Sequence, residues 1–501
     1  MKKKLVSLVL CLGMIVSTVA GCSNSADNST TESRSEATTA TGAEKGEEET
    51  VIMYTPFAGN NEDKAAVVAA INEITTKEIG VKLQWEQFDI GQWFQQYSLF
   101  LSGSDDIDLL FNFGGISSGV AQGAFMDITD LVDEYGTGIK DTLGDYIKSG
   151  QIGGKTYGLI PNTSFASTYG IMYRKDIVKE LGLEDQVASV KTLEDWGAIL
   201  EAVKAAHPEM TPYVTAAGSS MSNFFYGDWD SLGDSMGVLM DSGSGTKVEN
   251  LFETEEYTSL CKTMSDWYEA GYTSKDIQTQ TDSYNTLCSQ GVAFSALTCV
   301  DFNTELSEKI ATGKDIGVVM LSDPFVTTYT NGAFAVMANS KHAEAAVKFM
   351  NMVYTDKRIL DLMSYGIEGT NYQVLEDGSL DYVKGQDPSS CTYHDQLGIS
   401  SNNVLRSLWT GENPNLGADI VTNNESAKKS SAMGFVFDNT SVSNQVTKVS
   451  NVFEKYRNVI ECGALNADEN LPALIKELKD AGIDDIIAEK QKQLDEWSAN
   501  Q

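Results

Sequence analysis

Residues 51–113 read "VIMYTPFAGNNEDKAAVVAAINEITTKEIGVKLQWEQFDIGQWFQQYSLFLSGSDDIDLLFNF", and this stretch decides the fold class. Val51-Ile52-Met53-Tyr54 is a short apolar run closed by Pro56 and the loop Ala58-Gly59-Asn60-Asn61. From 62 to 79 the apolar positions Val67, Ala70, Ile71 and Ile74 recur at helical spacing, and Gly80 stops the run. "VKLQWEQF" then alternates, with Val81, Leu83 and Trp85 on one face, as a strand does. "GQWFQQYSLFLSG" is a second helix, with Trp93 and Tyr97 one turn apart, and "DIDLLFNF" is a third, largely buried strand. Strand, helix, strand, helix, strand predicts parallel pairing through crossovers, and therefore an α/β layer.

The alternation continues outward. "YGLIP" (157–161) and "YGIMYRKD" (169–176) read as strands, and "TLEDWGAILEAVKAAH" (192–207) as a helix capped by Thr192 with acids in its first turn. "GVAFSALTCV" (291–300), "DIGVVML" (315–321) and "GAFAVMA" (332–338) are further strands before the helix "KHAEAAVKFMNMVYT" (341–355). Near the end, Val446, Val449, Phe453, Tyr456 and Ile460 share one helical face, and two more amphipathic helices follow, 471–482 and 483–497. Roughly 450 residues beyond residue 50 exceed what one core holds, so two or more domains are expected.

The front of the chain reads differently. Lys2, Lys3 and Lys4 precede an apolar run from Leu5 to Val19, which is a secretory signal pattern and too short for a comfortable membrane span. Its end, Val19-Ala20-Gly21-Cys22, resembles the lipobox of bacterial lipoproteins, whose cysteine is diacylated. Two acyl chains anchor a protein stably where one does not. Between Ser23 and Thr50 there is no Leu, Ile, Val, Met or aromatic residue, so the segment cannot offset chain entropy by burial and is expected to be a disordered tether. The expectation is a signal peptide at 1–21, a lipidated Cys22 with a tether to residue 50, and a location on the outer face of the cell membrane.

Composition removes several classes. With 71 acidic against 36 basic side chains the net charge is −35. That excludes a nucleic-acid binder, which needs a basic footprint, and argues against direct docking on anionic lipid. The cysteines after Cys22 are Cys261, Cys288, Cys299, Cys391 and Cys462, an odd number without tight spacing, so no disulfide scaffold is expected. His207, His342 and His394 are far apart, which predicts neither a metal site nor a metal cofactor. Gly115-Ile116-Ser117-Ser118-Gly119 matches a nucleophile elbow, with His342 or His394 as nominal partners, but neither histidine lies in a recognisable loop context. Gly153-Gly154-Lys155-Thr156 lacks the glycine that a phosphate loop places six residues before the lysine, where Ser149 stands, and reads as a hairpin turn.

Several stretches then carry a resemblance. "YSLFLSGSDDIDLLFNF", "GAFMDITDLVDEYG", "GGKTYGLIP", "YGIMYRKDIVKELGL", "TLEDWGAILEAVK" and "YGIEGTNYQV" resemble the extracellular solute-binding lipoproteins of ABC importers, carbohydrate-type branch. The tail, in "GFVFDNTSVSNQVTKVSNVFEKY" and "KDAGIDDIIAEKQKQLDEW", is similar to a C-terminal module of a subset of them. The resemblance implies a type 2 periplasmic-binding-protein clamshell, two α/β lobes with ligand between them. Mapped here, lobe one is 51–162 with 328–366, lobe two is 166–325 with 370–433, and 434–501 is a helical module packed on lobe two. It implies no enzymatic chemistry and no cofactor, a monomer, a glycan ligand and ABC permease subunits as partners.

The same pattern implies cleft contacts from Tyr54, Phe57 and Asn60 after the first strand, from Asn112 and Phe113, and from Asp301 and Phe302. Maltodextrin binders carry tryptophan at the latter two places, which points away from a maltodextrin and leaves other glycans open, with a peptide or glycoconjugate as the alternative. Among the seven tryptophans, Trp93, Trp229 and Trp409 stand beside Gly, Asp or Thr in loop-like sequence, where a ring face can stack on sugar C–H bonds. They join the candidate list, with Trp93 and Asn112 expected on one lobe and Trp229, Asp301 and Trp409 on the other. Trp85, Trp196, Trp267 and Trp497 are expected to pack internally.

Overall fold

Val51, Met53, Leu109, Leu110 and Phe111 are all buried, as the central strands of a sheet covered on both faces must be. In the computed structural model they belong to β1 (Glu49–Phe57) and β3 (Leu109–Asn112), which with α1 (Lys64–Ile79), β2 (Val81–Asp89), α2 (Ile90–Leu101) and α3 (Ser117–Ala121) build the first lobe. The structure describes residues 48–499 apart from 104, 114–115, 167, 215–221, 223–227, 280–281, 329–331, 389, 396 and 398–400. The expected signal peptide, Cys22, nearly all of the tether, Gly115 of the elbow motif and the loop before Trp229 lie outside the described residues.

β1 pairs in parallel with both β2 and β3, with Val51 opposite Leu83 and Met53 opposite Trp85. Ala333–Val336 adds an antiparallel edge to β3. The Trp85 indole donates to Thr55 Oγ1 at 2.8 Å, which satisfies its one polar atom inside the core. Gly80 closes α1 at φ 71°, a left-handed position that a side chain would strain. "YGLIP" forms no strand: only Leu159 is bridged, to Phe334. Pro161 can supply no ladder donor, so pairing stops there.

The second sheet has the order β7 (Ile316–Met320), β4 (Thr168–Arg174), β6 (Ala293–Val300), β5 (Thr211–Val214), with α4 (Thr304–Thr312) between β6 and β7. β4 runs antiparallel to both neighbours, and β5 is parallel to β6. Trp196, Tyr213, Trp229, Trp267 and Phe294 are buried in its core. Leu471, Leu474, Leu478, Ile483, Ile486 and Leu494 belong to the same core; they come from α6 (Ala467–Ala481) and α7 (Ile483–Ser498), which follow α5 (Ser443–Glu461).

One boundary needs correction. Residues 370–412, assigned from sequence to lobe two, pack on lobe one. Tyr393 is fully buried in the first core and donates to Met363 O at 2.9 Å, Asn371 donates to Asp63 at 2.9 Å, and Asn61 forms a β-bridge with Tyr393. The chain returns to lobe two only through the helix Leu416–Ser426 and the strand Lys428–Lys429.

That return segment holds the other two crossings. The Asn424 side chain accepts from the Phe165 and Ala166 amides at 2.8 and 3.1 Å and donates to Thr163 O at 2.8 Å. Lys428–Lys429 pairs in parallel with Phe325–Val326. Just beyond, the buried Asp230 carboxylate accepts from the Thr328 amide and hydroxyl, both at 3.0 Å. Three chain segments therefore cross at the junction, and each is tied to another part of it by specific hydrogen bonds.

Candidate functional site

Strand carboxyl ends in open α/β sheets face the crevice where ligands bind. β6 ends at Val300, and the next residues, Asp301, Phe302 and Asn303, line a cavity of about 510 Å³ together with Leu306 and Ile310 of α4. The opposite wall comes from the lobe-one side: Tyr365, His394, Asp395, Arg406 and Trp409. Thr163 and Ser164 of the first crossing, with Asn403, Leu416 and Ile420, close the base. β1 sets the position of that wall, because its terminal loop holds it: the His394 amide donates to Asn60 O at 3.1 Å, and the Ala58 amide bonds the Asp395 carboxylate. The volume lies inside the range of small-molecule sites.

The lobe-one wall is aromatic. The Trp409 ring stacks on His394 with centroids 4.6 Å apart, meets Tyr382 edge-on at 4.8 Å and lies 5.5 Å from Tyr365. A half-buried ion pair fixes the loop that carries it. Arg406 donates to both Glu412 oxygens at 2.9 and 2.7 Å, and the Trp409 amide donates to Glu412 Oε2 at 2.6 Å. Burial works against the Glu412 carboxylate, but the Arg406 hydrogen bonds and charge hold its pKa below the ordinary value. The result is a half-buried tryptophan held in one orientation at the edge of a cavity, as a stacking platform requires.

Polar groups complete the lining. Asp301 Oδ1 accepts from the Asn303 amide at 2.9 Å and from Thr304 Oγ1 at 3.1 Å, which fixes the turn into α4. Asn303 Oδ1 is shielded and meets no donor among the described residues, leaving an acceptor at the cavity wall. Burial pushes the Asp395 carboxyl up to about 6, against the lowering effect of hydrogen bonds from the Leu397 and Ala58 amides. An acid raised above its unfolded value favours the folded state below that unfolded value and loses the contribution as pH rises through the folded one. Asp395→Asn should therefore raise the unfolding free energy at pH 7.5 by on the order of 2 kcal/mol, and the melting temperature with it. The gain should fade by pH 4. Melting curves of both proteins at the two pH values check this, and an equal gain at both would assign the effect to packing. Burial also lowers the pKa of His394, but that contribution is common to both proteins and cancels.

The structure brings Asp301, Phe302 and Trp409 to this cavity, with Asn60 behind it through its backbone carbonyl. Trp409 belongs to the lobe-one wall, not to lobe two as expected from sequence, because its segment packs with Tyr365, Tyr372 and Leu380. Trp93 and Trp229 are corrections. Trp93 is 0% exposed against Phe88, Tyr97 and Phe100, and Trp229 is 2% exposed in the second core. Neither ring faces a cleft. Tyr54 packs between Phe88 and Phe100, and Phe57 is buried against Tyr393. Asn112 is buried and accepts from the Tyr97 hydroxyl.

Phe113 stands apart from these. It is half-buried at the carboxyl edge of β3 and pairs at 5.5 Å with Phe94, whose ring is 62% exposed. Sequence reading missed Phe94, Tyr365, His394, Asp395, Arg406 and Glu412. The helical pattern of α2 carried a signal for the first, since Trp93 and Phe100 share the inner face and leave Phe94 outside it. The others stand in irregular sequence, where no periodicity points inward. Ser117 of the elbow motif borders a different cavity, while His342 Nδ1 pairs with Glu49 and His394 Nδ1 with the Tyr382 hydroxyl.

Two α/β lobes joined by tied crossings, with a cavity at the carboxyl ends of their strands, define a two-lobed solute-binding fold. The profile of the bacterial extracellular solute-binding proteins matches residues 69–379, and the chain belongs to that family. Residues 431–499 match a domain of unknown function, DUF3502. The chain is 25% identical over 470 residues to a carbohydrate ABC transporter substrate-binding protein of Streptococcus pneumoniae serotype 4, covering 91% of this chain and 93% of that one. Among solved structures, the N-glycan transport solute binding protein NgtS from Streptococcus pneumoniae superposes with a TM-score of 0.79 at 22% identity, over 90% of this chain and 99% of that chain. An HMO-binding ABC-transporter-associated solute binding protein from Bifidobacterium longum infantis superposes with a TM-score of 0.63 at 16% identity, over 90% and 99%.

Proposed function

We propose that this protein captures an oligosaccharide in the cavity between its lobes and delivers it to the permease of an ABC importer. The observation that carries the reading is the cavity itself, with a fixed aromatic wall on one lobe and the Asp301–Asn303 turn on the other. Ring faces take sugar C–H surfaces while carboxylates and carboxamides take hydroxyls. A ligand touching both walls favours the closed arrangement by its difference in affinity for the two states. The related carbohydrate substrate-binding protein and the glycan complexes of NgtS support a sugar over a peptide or other solute. Tyr365, His394, Asp395 and Trp409 are assigned to the lobe-one wall, Asp301, Phe302 and Asn303 to the lobe-two wall, and Phe94 with Phe113 to an outer stacking edge.

Calorimetric titration with Man5GlcNAc, kestose and an alginate oligosaccharide tests the reading, since similar proteins are described with these or related sugars. Trp409→Ala should weaken binding of whichever sugar titrates by at least tenfold, as loss of a central aromatic anchor does. Melting of the free protein should change little. Lost folding in place of lost binding would make Trp409 a structural residue, and no heat from any sugar would remove the glycan.

We also propose that Cys22 carries a lipid anchor and that residues 23–50 tether the folded part to the outer face of the membrane. The support is the sequence Val19-Ala20-Gly21-Cys22 behind a basic, apolar leader, in a family that is extracellular. Among the described residues no helix is long and apolar enough to cross a membrane. Cys22→Ser should shift the protein from the membrane fraction to the soluble one. Equal membrane association of both forms would discard the anchor.

A further inference from the structure

The C-terminal module has a feature that its packing on the second core does not require. Its first segment, Val436 to Asn439, is anchored in that core by Phe437 and lines a cavity of about 160 Å³ whose other wall is Ser117, Ser118, Val120 and Ala121 of α3, with Ile152. α3 follows β3, so this cavity opens at the carboxyl edge of lobe one, one strand over from the β1 loop that holds the principal cavity's wall. Just before the segment, the backbone at Gly434 runs against Lys148 of lobe one, where a Cβ would lie 2.9 Å from the lysine Cβ. The module thus reaches lobe one while being built into lobe two.

The segment is held from behind. Gln493 of α7 accepts from the Asp438 amide at 2.9 Å and donates to Asp438 O at 2.8 Å, fixing the backbone in both directions. Thr440 donates its amide and hydroxyl to Asp438 Oδ1 at 2.9 and 2.6 Å, which sets the turn. Phe437 lies under the buried Lys490 ammonium, 5.0 Å from its ring centre. Asp438 and Asn439, both exposed, line this wall, and Ser117 and Ser118 line the other.

We infer that this cavity is a second sugar subsite, taking one ring at the far end of an extended oligosaccharide whose other end occupies the principal cavity. The inference rests on the oligosaccharide reading and gives the C-terminal module a part in ligand recognition. Its lining mixes hydroxyl, carboxylate and carboxamide groups with Val120, Ile152 and Phe437, the same pairing of polar and apolar surface found in the principal cavity. A cavity of roughly 150 Å³ accommodates a single six-membered ring, so the subsite fits one sugar and not a chain. Because its walls belong to different lobes, an occupant adds to the closing free energy, and the site selects long ligands over short ones.

The test uses the full chain, with Man5GlcNAc as the long probe and Man1GlcNAc as the short one, titrated against three proteins. These are the wild type, the double variant Ser118→Ala with Asn439→Ala, and Ala121→Trp, which fills the space from an exposed position. Both variants should bind Man5GlcNAc about tenfold more weakly, ~1.4 kcal/mol, while Man1GlcNAc stays within about twofold. Unchanged melting temperatures should accompany this, since all three positions are exposed. If wild type binds Man5GlcNAc and neither variant weakens it, or if both sugars weaken equally, the subsite is overturned and the principal site stands. If wild type binds neither sugar, the reading of a ligand of this kind falls and the subsite with it.

Discussion

Truncation after Met433 is expected to abolish cooperative folding of lobe two, not merely to trim a dispensable tail. Leu471, Leu474, Leu478, Ile483, Ile486 and Leu494 are each at most 6% exposed and share one core with Trp196, Tyr213 and Trp267. Burying a side chain of this kind contributes about 1.5–3 kcal/mol, with the higher values as upper bounds. Six of them together match or exceed the net stability of about 5–15 kcal/mol that a protein usually has. Truncation also removes Lys490, whose buried ammonium donates to Asp234 and to Gly237 O, and Gln491, which accepts from the Val248 amide at 2.7 Å. Circular dichroism melting of residues 48–433 should show a large loss of the lobe-two transition. An unchanged melting profile would mean that the module only rests on a core complete without it.

The second large effect should come from one carboxylate. Glu461 is 0% exposed and accepts four hydrogen bonds: from the Ser222 amide at 2.9 Å, the Ser222 hydroxyl at 2.7 Å, the Tyr257 hydroxyl at 2.9 Å and Arg457 Nε at 3.0 Å. Glu461→Ala takes the carboxylate away from the buried Arg457 guanidinium, which keeps its hydrogen bond to Ser222 Oγ at 2.6 Å, and should cost about 3–5 kcal/mol. The double replacement Arg457→Met with Glu461→Leu should recover most of that loss, because the penalty comes from a buried charge whose counter-charge is gone and not from the absence of a pair. Chemical denaturation of the three proteins separates these contributions. A double variant as unstable as Glu461→Ala would show instead that the hydrogen bonds to Ser222 and Tyr257 hold the module in place.

How far the sequence spoke depended on regularity. Periodicity located α1, β2 and α2, because an apolar repeat of two or of about 3.6 has a direct geometric meaning. The alternation of Val81, Leu83 and Trp85 put Trp85 in the core, where it is found. The same evidence could have warned about Trp93. Seven residues before Phe100 on one helix, it belongs to the inner face, and its neighbour Phe94 to the outer. Assigning Trp93 to the cleft because it follows the loop after β2 overlooked that inner face. Trp229 misled for another reason: small and acidic neighbours suggest an exposed loop, but Asp230 is itself buried, with its charge consumed by Leu232 and Thr328.

By itself the sequence determined the class: an α/β chain, acidic, behind an apolar leader with Cys22 at its end, and carrying the ordered stretches of a solute-binding family. These follow from local rules of burial, charge and chain entropy, which act on neighbours along the chain. Only the tertiary structure decided which lobe holds residues 370–412, that Trp409 faces Asp301 across a cavity, and that His394, Arg406 and Glu412 serve it. Those groups meet through contacts between segments far apart in sequence, such as the 308 positions between Asp63 and Asn371. Irregular segments satisfy their backbone groups one bond at a time and leave no repeat to read, so their place is set by the sheets they land on.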